Sequence, residues 1–352
     1  MQAEALATPF GKLKSWARNG RAVLMFLWGL IQYRYTRRTS DAAYHSMIQL
    51  FCASGGRFND WISQRIGARQ RKLTLPSRRG VLGDMENAAT LSSTVEALRR
   101  DGCVVFSGAL SPDSCDRLAG FAQQQPALVR RMDGQNTALH TGTAVFDAAN
   151  PVAVRYDYSP SDLLDLPDVQ ALLSDGSLLA VVQEYLGSAP VADVLSMWWH
   201  TNFNKHPDSE AAQFFHFDMD RFKWVKIFIY LTDVGPENGP HAFVEGSHAT
   251  GGIPENILRR GYVRVTDEEV ASTYPAEKIR SFTAPRGSII IEDTRGLHKG
   301  THVTGDPRLL LQLQFSNSLF GTNYPKATVS KVCDEQFRAM LEFAPQVYRQ
   351  YT

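Results

Sequence analysis

Residues 214–218 read Phe-Phe-His-Phe-Asp, and within them His216 and Asp218 stand two apart. In an extended segment side chains alternate, so His216 and Asp218 share one face while Phe215 and Phe217 take the other. An imidazole and a carboxylate facing an interior are two of the three donors of a 2-His-1-carboxylate triad. Such a triad holds non-haem Fe(II) and leaves coordination positions open. His-x-Asp also occurs in surface turns, so the pair needs a third donor. Nine histidines are available. His298 follows an apolar run, 288–291, and a polar turn, 293–296, that delivers it to the start of a strand. His302 is its rival. Ten residues beyond His298, Arg308 opens the run Leu309–Phe315, where Arg308, Leu310, Gln312 and Gln314 share one face. A guanidinium aimed into a β interior is costly unless an anion meets it, and its planar fork matches a carboxylate. With His302 as the ligand the step to Arg308 shortens to six.

The elements that must place these residues are short strands. Val194–Asn202, Phe214–Asp218, Val225–Leu231, Ala242–Glu245, Arg280–Thr283, Ser288–Glu292, His298–Thr301 and Leu309–Phe315 have strand composition, with turn signals between them. This pattern predicts a mainly β, sandwich or barrel-like core with flanking helices, an α+β chain. Helices are expected at 10–35, 41–51, 59–70, 94–100, from Ser111-Pro112-Asp113 to Pro126, at 178–186, and over 334–351. Residues 130–160 are turn-rich and carry no clear pattern. Residues 75–80 look like a linker, which divides the chain into a helical extension, 1–80, and a catalytic unit, 81–352.

The extension is basic. It holds 14 Lys and Arg against three acids, a balance of +11, which leaves 23 against 33, or −10, for the rest. A basic block with aromatic residues interleaved can lie on an anionic membrane surface or dock on the acidic body of its own chain. The apolar run 22–31 is shorter than the roughly 20 residues a membrane span needs. No signal peptide is evident, and no nucleic-acid motif is present. Cys52, Cys103, Cys115 and Cys333 lack metal-ligand spacing and read as free thiols in a reducing compartment. The expectation is a cytoplasmic protein, peripheral to a membrane at most, of open oligomeric state.

The order of these motifs resembles the phytanoyl-CoA dioxygenase family of Fe(II)/2-oxoglutarate oxygenases, over residues 101–320. The resemblance rests on Gly102–Phe106 with Ser111-Pro112-Asp113, on His216-Phe217-Asp218, and on Leu231–Val234 with Glu237-Asn238-Gly239-Pro240. Glu245-Gly246-Ser247-His248 and Leu297–Gly300 with Arg308 complete it. It implies a double-stranded β-helix of the jelly-roll, cupin-like kind. It implies that His216, Asp218 and His298 bind iron, that Arg308 pairs with the distal carboxylate of 2-oxoglutarate, and that O2 is consumed. Phe228 stands where the family often has a polar contact to 2-oxoglutarate. Tyr230, Lys226 and Trp199 are the candidates to replace it. Family halogenases carry a small residue at the carboxylate position, so Asp218 favours hydroxylation. The family's substrates include acyl-CoA esters and secondary metabolites, so a small or lipid-like molecule is expected. Two other readings remain at this stage: a non-catalytic β-helix binding protein, and a zinc hydrolase or isomerase in which Arg308 has no task. His248 and His241 are expected in a turn and in a loop near the site entrance, respectively, and His200 on a strand that lines the pocket or the core.

Overall fold

The chain folds around two stacked antiparallel sheets. The structure is a computed structural model that describes residues 9–132, 138–207 and 212–351. Helices α1 (Pro9–Thr36), α2 (Asp41–Ser54) and α3 (Arg57–Gly67) come first, followed by a small hairpin, β1 (Arg79–Gly80) and β2 (Gly83–Asp84). The side chains of Leu13 and Trp16, part of the apolar stripe of the first helix, lie outside the described residues. Then come α4 (Ala88–Asp101), β3 (Cys103–Phe106), α5 (Pro112–Gln124), β4 (Ala127–Met132), β5 (Ala138–Ala144) and β6 (Arg155–Asp157). Three helices, α6 (Pro160–Leu164), α7 (Pro167–Ser174) and α8 (Gly176–Leu186), lead into β7 (Val191–His200), β8 (Trp224–Tyr230) and β9 (His241–Val244). Two short helices, α9 (Glu255–Leu258) and α10 (Asp267–Thr273), precede β10 (Ile279–Phe282), β11 (Ile289–Glu292), β12 (His298–Gly300) and β13 (Arg308–Ser316). The last helix is α11 (Glu335–Phe343).

The large sheet has the order β3-β11-β8-β13-β7-β6-β4-β5 and the small one β10-β9-β12. Alternation sorts the side chains between two interiors. Leu309, Leu311 and Leu313 of β13 join Ile227, Ile229, Ile289 and Ile291 in a core against the helical layer. Leu310 joins Phe228, Tyr230, Ile290, Phe243 and Phe282 between the two sheets. This is the jelly-roll, double-stranded β-helix, and the candidate site lies between its sheets.

Local chemistry explains the helix ends. Ser111 Oγ accepts from Ser114 N at 3.2 Å with Pro112 at the first helical position, and Asn87 caps α4 from Ala89 N at 3.0 Å. The expected helix over 334–351 stops at Phe343. Pro345 lacks an N–H and its ring would clash with the preceding turn, so the chain leaves the helix at Ala344. The segment 214–218 is not a regular strand. His216 exchanges both backbone bonds with His298, at 2.9 and 2.8 Å, and Phe215 bridges Val265. Asp218 N then turns to Thr294 O at 2.8 Å, which ends the ladder after two residues.

Helices α1 to α3 dock on the outside of this segment through aromatic rings. Phe26 meets Phe58, Phe222 and Phe320 edge-on, with centroids at 4.9, 5.8 and 5.5 Å. Phe51 of α2 stacks on Phe217 at 5.9 Å. The α1–α2 crossing is close: a Cβ on Gly29 would lie 2.1 Å from that of Ala43.

Candidate metal centre

His216 and His298 face each other across their backbone bridge, with ring centroids 4.3 Å apart. His216 Nδ1 pairs with Phe214 O at 2.9 Å and His298 Nδ1 with Gly296 O at 3.0 Å. A carbonyl only accepts, so each Nδ1 carries the proton and each Nε2 presents a bare lone pair. Asp218 closes the set. Its oxygens lie 3.8 Å from His216 Nε2 and 3.4 Å from His298 Nε2. The three donor atoms fall within 4.8 Å of one another, and all three residues are buried.

The electrostatics suit a cation. Burial opposes ionisation of Asp218, but the Lys226 ammonium, 2.6 Å from Oδ2, together with His298, holds its carboxyl well below the usual range. Burial, and then the neighbouring His298, keep His216 well below its ordinary value and therefore neutral. His216, His298 and the Asp218 carboxylate together offer a 2-His-1-carboxylate donor set that could hold a divalent metal such as iron.

Arg308 lies 1% exposed on the inner face of β13. It donates through Nη1 to Gly239 O, and through Nη2 to His200 Nδ1 at 3.0 Å. Among the described residues no carboxylate lies within ion-pair distance of it. Burial lowers its pKa, as expected of a guanidinium without a counter-anion. Accepting from Arg308 leaves His200 its proton on Nε2. That atom, Arg308 Nε and Trp198 Nε1 are buried N–H groups with no acceptor. A Cβ on Gly300 would stand 3.3 Å from Arg308 Nη2, which puts the guanidinium beside the strand that carries His298. Arg308 Nε and the unpaired N–H groups of His200 and Trp198 on the neighbouring strand β7 would suit a carboxylate such as the distal one of 2-oxoglutarate.

The other candidates divide. Tyr230 lies under Arg308, 5.9 Å from ring centroid to guanidinium, but its hydroxyl is committed: it donates to Phe282 O at 3.0 Å and accepts from His241 N at 2.9 Å. Lys226 points at Asp218 and, at 3.5 Å, Asp220. Trp199 is corrected. It pairs with Leu309 in register, faces the helical layer and stacks on Phe146 at 4.0 Å, because odd-numbered positions of β7 point away from the small sheet. His302 pairs with Gln213 at 3.2 Å, outside the three-donor set. His248 holds Arg99 O at 3.1 Å, a structural bond.

His241 also departs from expectation. It is the first residue of β9, not a loop residue, and it is buried beside His298 with ring centroids 5.7 Å apart. Its Nε2 lies 2.8 Å from Oε2 of Glu292, which is itself fully buried. Burial pushes Glu292 up to about 8, against the pull of His298 and Lys226. Sequence reasoning missed this pair. Its signal was present: Glu292 lies two residues after Ile290 and so shares that residue's inward face.

Residues 98–309 match the family described as phytanoyl-CoA dioxygenase (PhyH). The chain is 25% identical over 236 residues to an ectoine dioxygenase of Stutzerimonas stutzeri (strain A1501), covering 61% of this chain and 72% of that one. Among solved structures it is similar to EctD from S. alaskensis in its apoform, with 20% identity, 73% and 85% coverage and a TM-score of 0.45. It is also similar to SnoN, a non-haem alpha-ketoglutarate-dependent epimerase from nogalamycin biosynthesis, with 18% identity, 65% and 84% coverage and a TM-score of 0.42.

Proposed function

Because the chain belongs to the phytanoyl-CoA dioxygenase family, we propose that it hydroxylates an unactivated C–H bond of a small or lipid-like organic substrate, at a centre held by His216, Asp218 and His298. It is an Fe(II)/2-oxoglutarate-dependent dioxygenase that uses O2. The observation that carries the finer reading is the pairing of a buried three-donor cluster with a buried Arg308 that has no carboxylate partner among the described residues. Neither the binding-protein nor the zinc-hydrolase reading gives both a task.

When bound, iron with 2-oxoglutarate supplies O2 activation, and the cosubstrate leaves as succinate and CO2. The chain's own residues do the positioning. His216 and His298 offer Nε2 because backbone carbonyls hold their Nδ1 protons. Lys226 keeps Asp218 ionised and turned toward the two rings. Arg308, with His200 and Trp198 beside it, receives the distal carboxylate, and Tyr230 fixes the wall beneath the guanidinium. Phe228, Phe243 and Phe282 exclude water from the space between the sheets. Asp218 supports hydroxylation, since a carboxylate ligand occupies the position a halide would need. We assign residues 81–352 as the oxygenase unit and 1–80 as an appended extension. The four free cysteines fit a reducing, cytoplasmic compartment that also keeps iron ferrous.

The test is a substrate screen read by succinate formation and by product mass. A product that gains one oxygen atom supports hydroxylation, and an isomeric product counts against it. Asp218→Ala should lower turnover by at least about 100-fold, beyond the usual loss on removing a group that merely orients a ligand. Arg308→Ala should leave iron binding intact and raise the 2-oxoglutarate requirement at least about 30-fold, the cost of one lost buried charge partner. Wild-type turnover in the first variant, or an unchanged requirement in the second, removes these roles.

A further inference from the structure

Over residues 22–35, helix α1 carries apolar side chains on both faces. Ala22 and Phe26 are buried, Leu30 and Tyr33 pack partly against the same cluster, and Gly29 crosses Ala43. A helix docked on one face ordinarily presents polar side chains on the other. Here the opposite face carries Leu24, Leu27, Trp28, Ile31 and Tyr35, spaced three and four apart. Leu24 is 65% exposed, Trp28 56% and Ile31 52%. The ridge runs for about 17 Å at 1.5 Å per residue. An apolar ridge of this kind marks a contact surface.

The charges beside it say what covers it. Arg21, Arg34, Arg37 and Arg38 are exposed, and none makes an ion pair with an acid among the described residues. Residues 1–80 as a whole carry 14 Lys and Arg against three acids. A second copy of the same face would set these arginines against one another. No helix among the described residues is long and apolar enough to cross a membrane. We propose that α1 lies in the plane of an anionic lipid surface, with Leu24, Leu27, Trp28, Ile31 and Tyr35 in the headgroup–acyl boundary and the arginines at the phosphates. Trp and Tyr suit that boundary because each joins an apolar body to a polar tip, and the arginine stems can reach outward along the ridge. The inference uses no residue of the iron site, so it stands or falls independently of the proposed reaction.

The test is co-sedimentation of the full chain with vesicles of phosphatidylcholine containing phosphatidylglycerol, against vesicles of phosphatidylcholine alone. Binding should be at least tenfold tighter to the anionic vesicles and weaken as salt is raised. Leu24→Gln/Ile31→Gln should abolish binding, with an unchanged melting temperature and unchanged succinate formation. A second variant, Arg21→Gln/Arg34→Gln/Arg38→Gln, keeps the ridge and should lose only the preference for anionic lipid. Absence of wild-type binding at low salt overturns the proposal, as does undiminished binding by the first variant. A wild-type dimer in sedimentation velocity that the first variant dissociates also overturns it, since a second copy then covers the ridge.

Discussion

At the scale of single residues, the site is a set of charges placed so that each missing partner points to what is absent. Asp218 has its cation in Lys226, whereas Arg308 has no anionic partner among the described residues. Glu292 is a further buried ionisable group there, and it makes a prediction of its own. Its folded pKa is raised to about 8, well above the carboxylate value of the unfolded chain. The folded state therefore holds a proton that the unfolded state has already released. Its contribution to stability is fully present below about pH 4.5 and is lost as pH rises toward about 8, with a slope of at most about 1.4 kcal/mol per pH unit. Glu292→Gln keeps a group that bonds to His241 but cannot ionise. In metal-free protein, the difference in melting temperature between variant and wild type should grow in the variant's favour from about pH 5 to about pH 8. A constant difference would mean that Glu292 is ionised throughout.

At the scale of elements, the turn between β11 and β12 decides where His298 points. Asp293 N bonds to Gly102 O at 2.9 Å, and Tyr185 donates to the Asp293 carboxylate at 2.5 Å. Arg295 spans Asp293 and Asp60, both at 2.7 Å. Burial opposes ionisation of Asp293, yet Arg295 lowers its pKa to about 2, so the clamp is ionic through the neutral range. Gly296 sits at the tightest point. A Cβ there would lie 2.7 Å from both Phe243 Cζ and Ser247 Oγ, and 2.9 Å from His248 N. Gly296→Ala should destabilise the fold by about 1–3 kcal/mol through overpacking. Because Gly296 O holds His298 Nδ1, it should also weaken metal binding, read by nickel titration. Full affinity in a destabilised variant would show that the turn does not aim the ring. The same element explains what was legible in the sequence. β8, β11 and β13 were readable because apolar, β-branched runs have few other uses, and His298 and Arg308 were read from the ends of β11 and β13, whereas His216 was read from alternation within its own short segment. Trp199 was misplaced because face assignment on β7 needs the register with β13, which a neighbouring strand supplies and local sequence does not. The 127–157 strands escaped notice because Arg130, Arg131 and Asp157 interrupt any apolar alternation. The irregular path at 214–218 is set by bonds to residues about 80 positions away.

At the scale of the whole molecule, the question is whether the helical extension is cargo or part of the site. Phe217 lies between two proposed ligands in sequence and points outward, into a cluster with Phe51 of α2 and Val265. Phe26 of α1 packs instead on Phe222 and Phe320, beyond the ligand pair. Truncating either buried ring to Ala should cost about 3–5 kcal/mol, because each leaves a cavity that rigid neighbours cannot fill. Their effects on the metal should differ. Loss of Phe51 frees Phe217 to move and takes His216 and Asp218 with it, since the backbone of the segment is held by two bridges and the Asp218 N to Thr294 O bond rather than by a full ladder. Loss of Phe26 leaves Phe217 clamped. Phe51→Ala should therefore weaken nickel binding well below wild type, whereas Phe26→Ala, equally destabilised in urea, should bind nickel as wild type does. Titrations are made at low temperature, where both variants are folded. Matching affinities in the two variants would mean that α1 to α3 only shield the barrel. A selective loss in Phe51→Ala would make the α2 face a working part of the centre, and would explain why α1 and α2 dock on the barrel through aromatic rings.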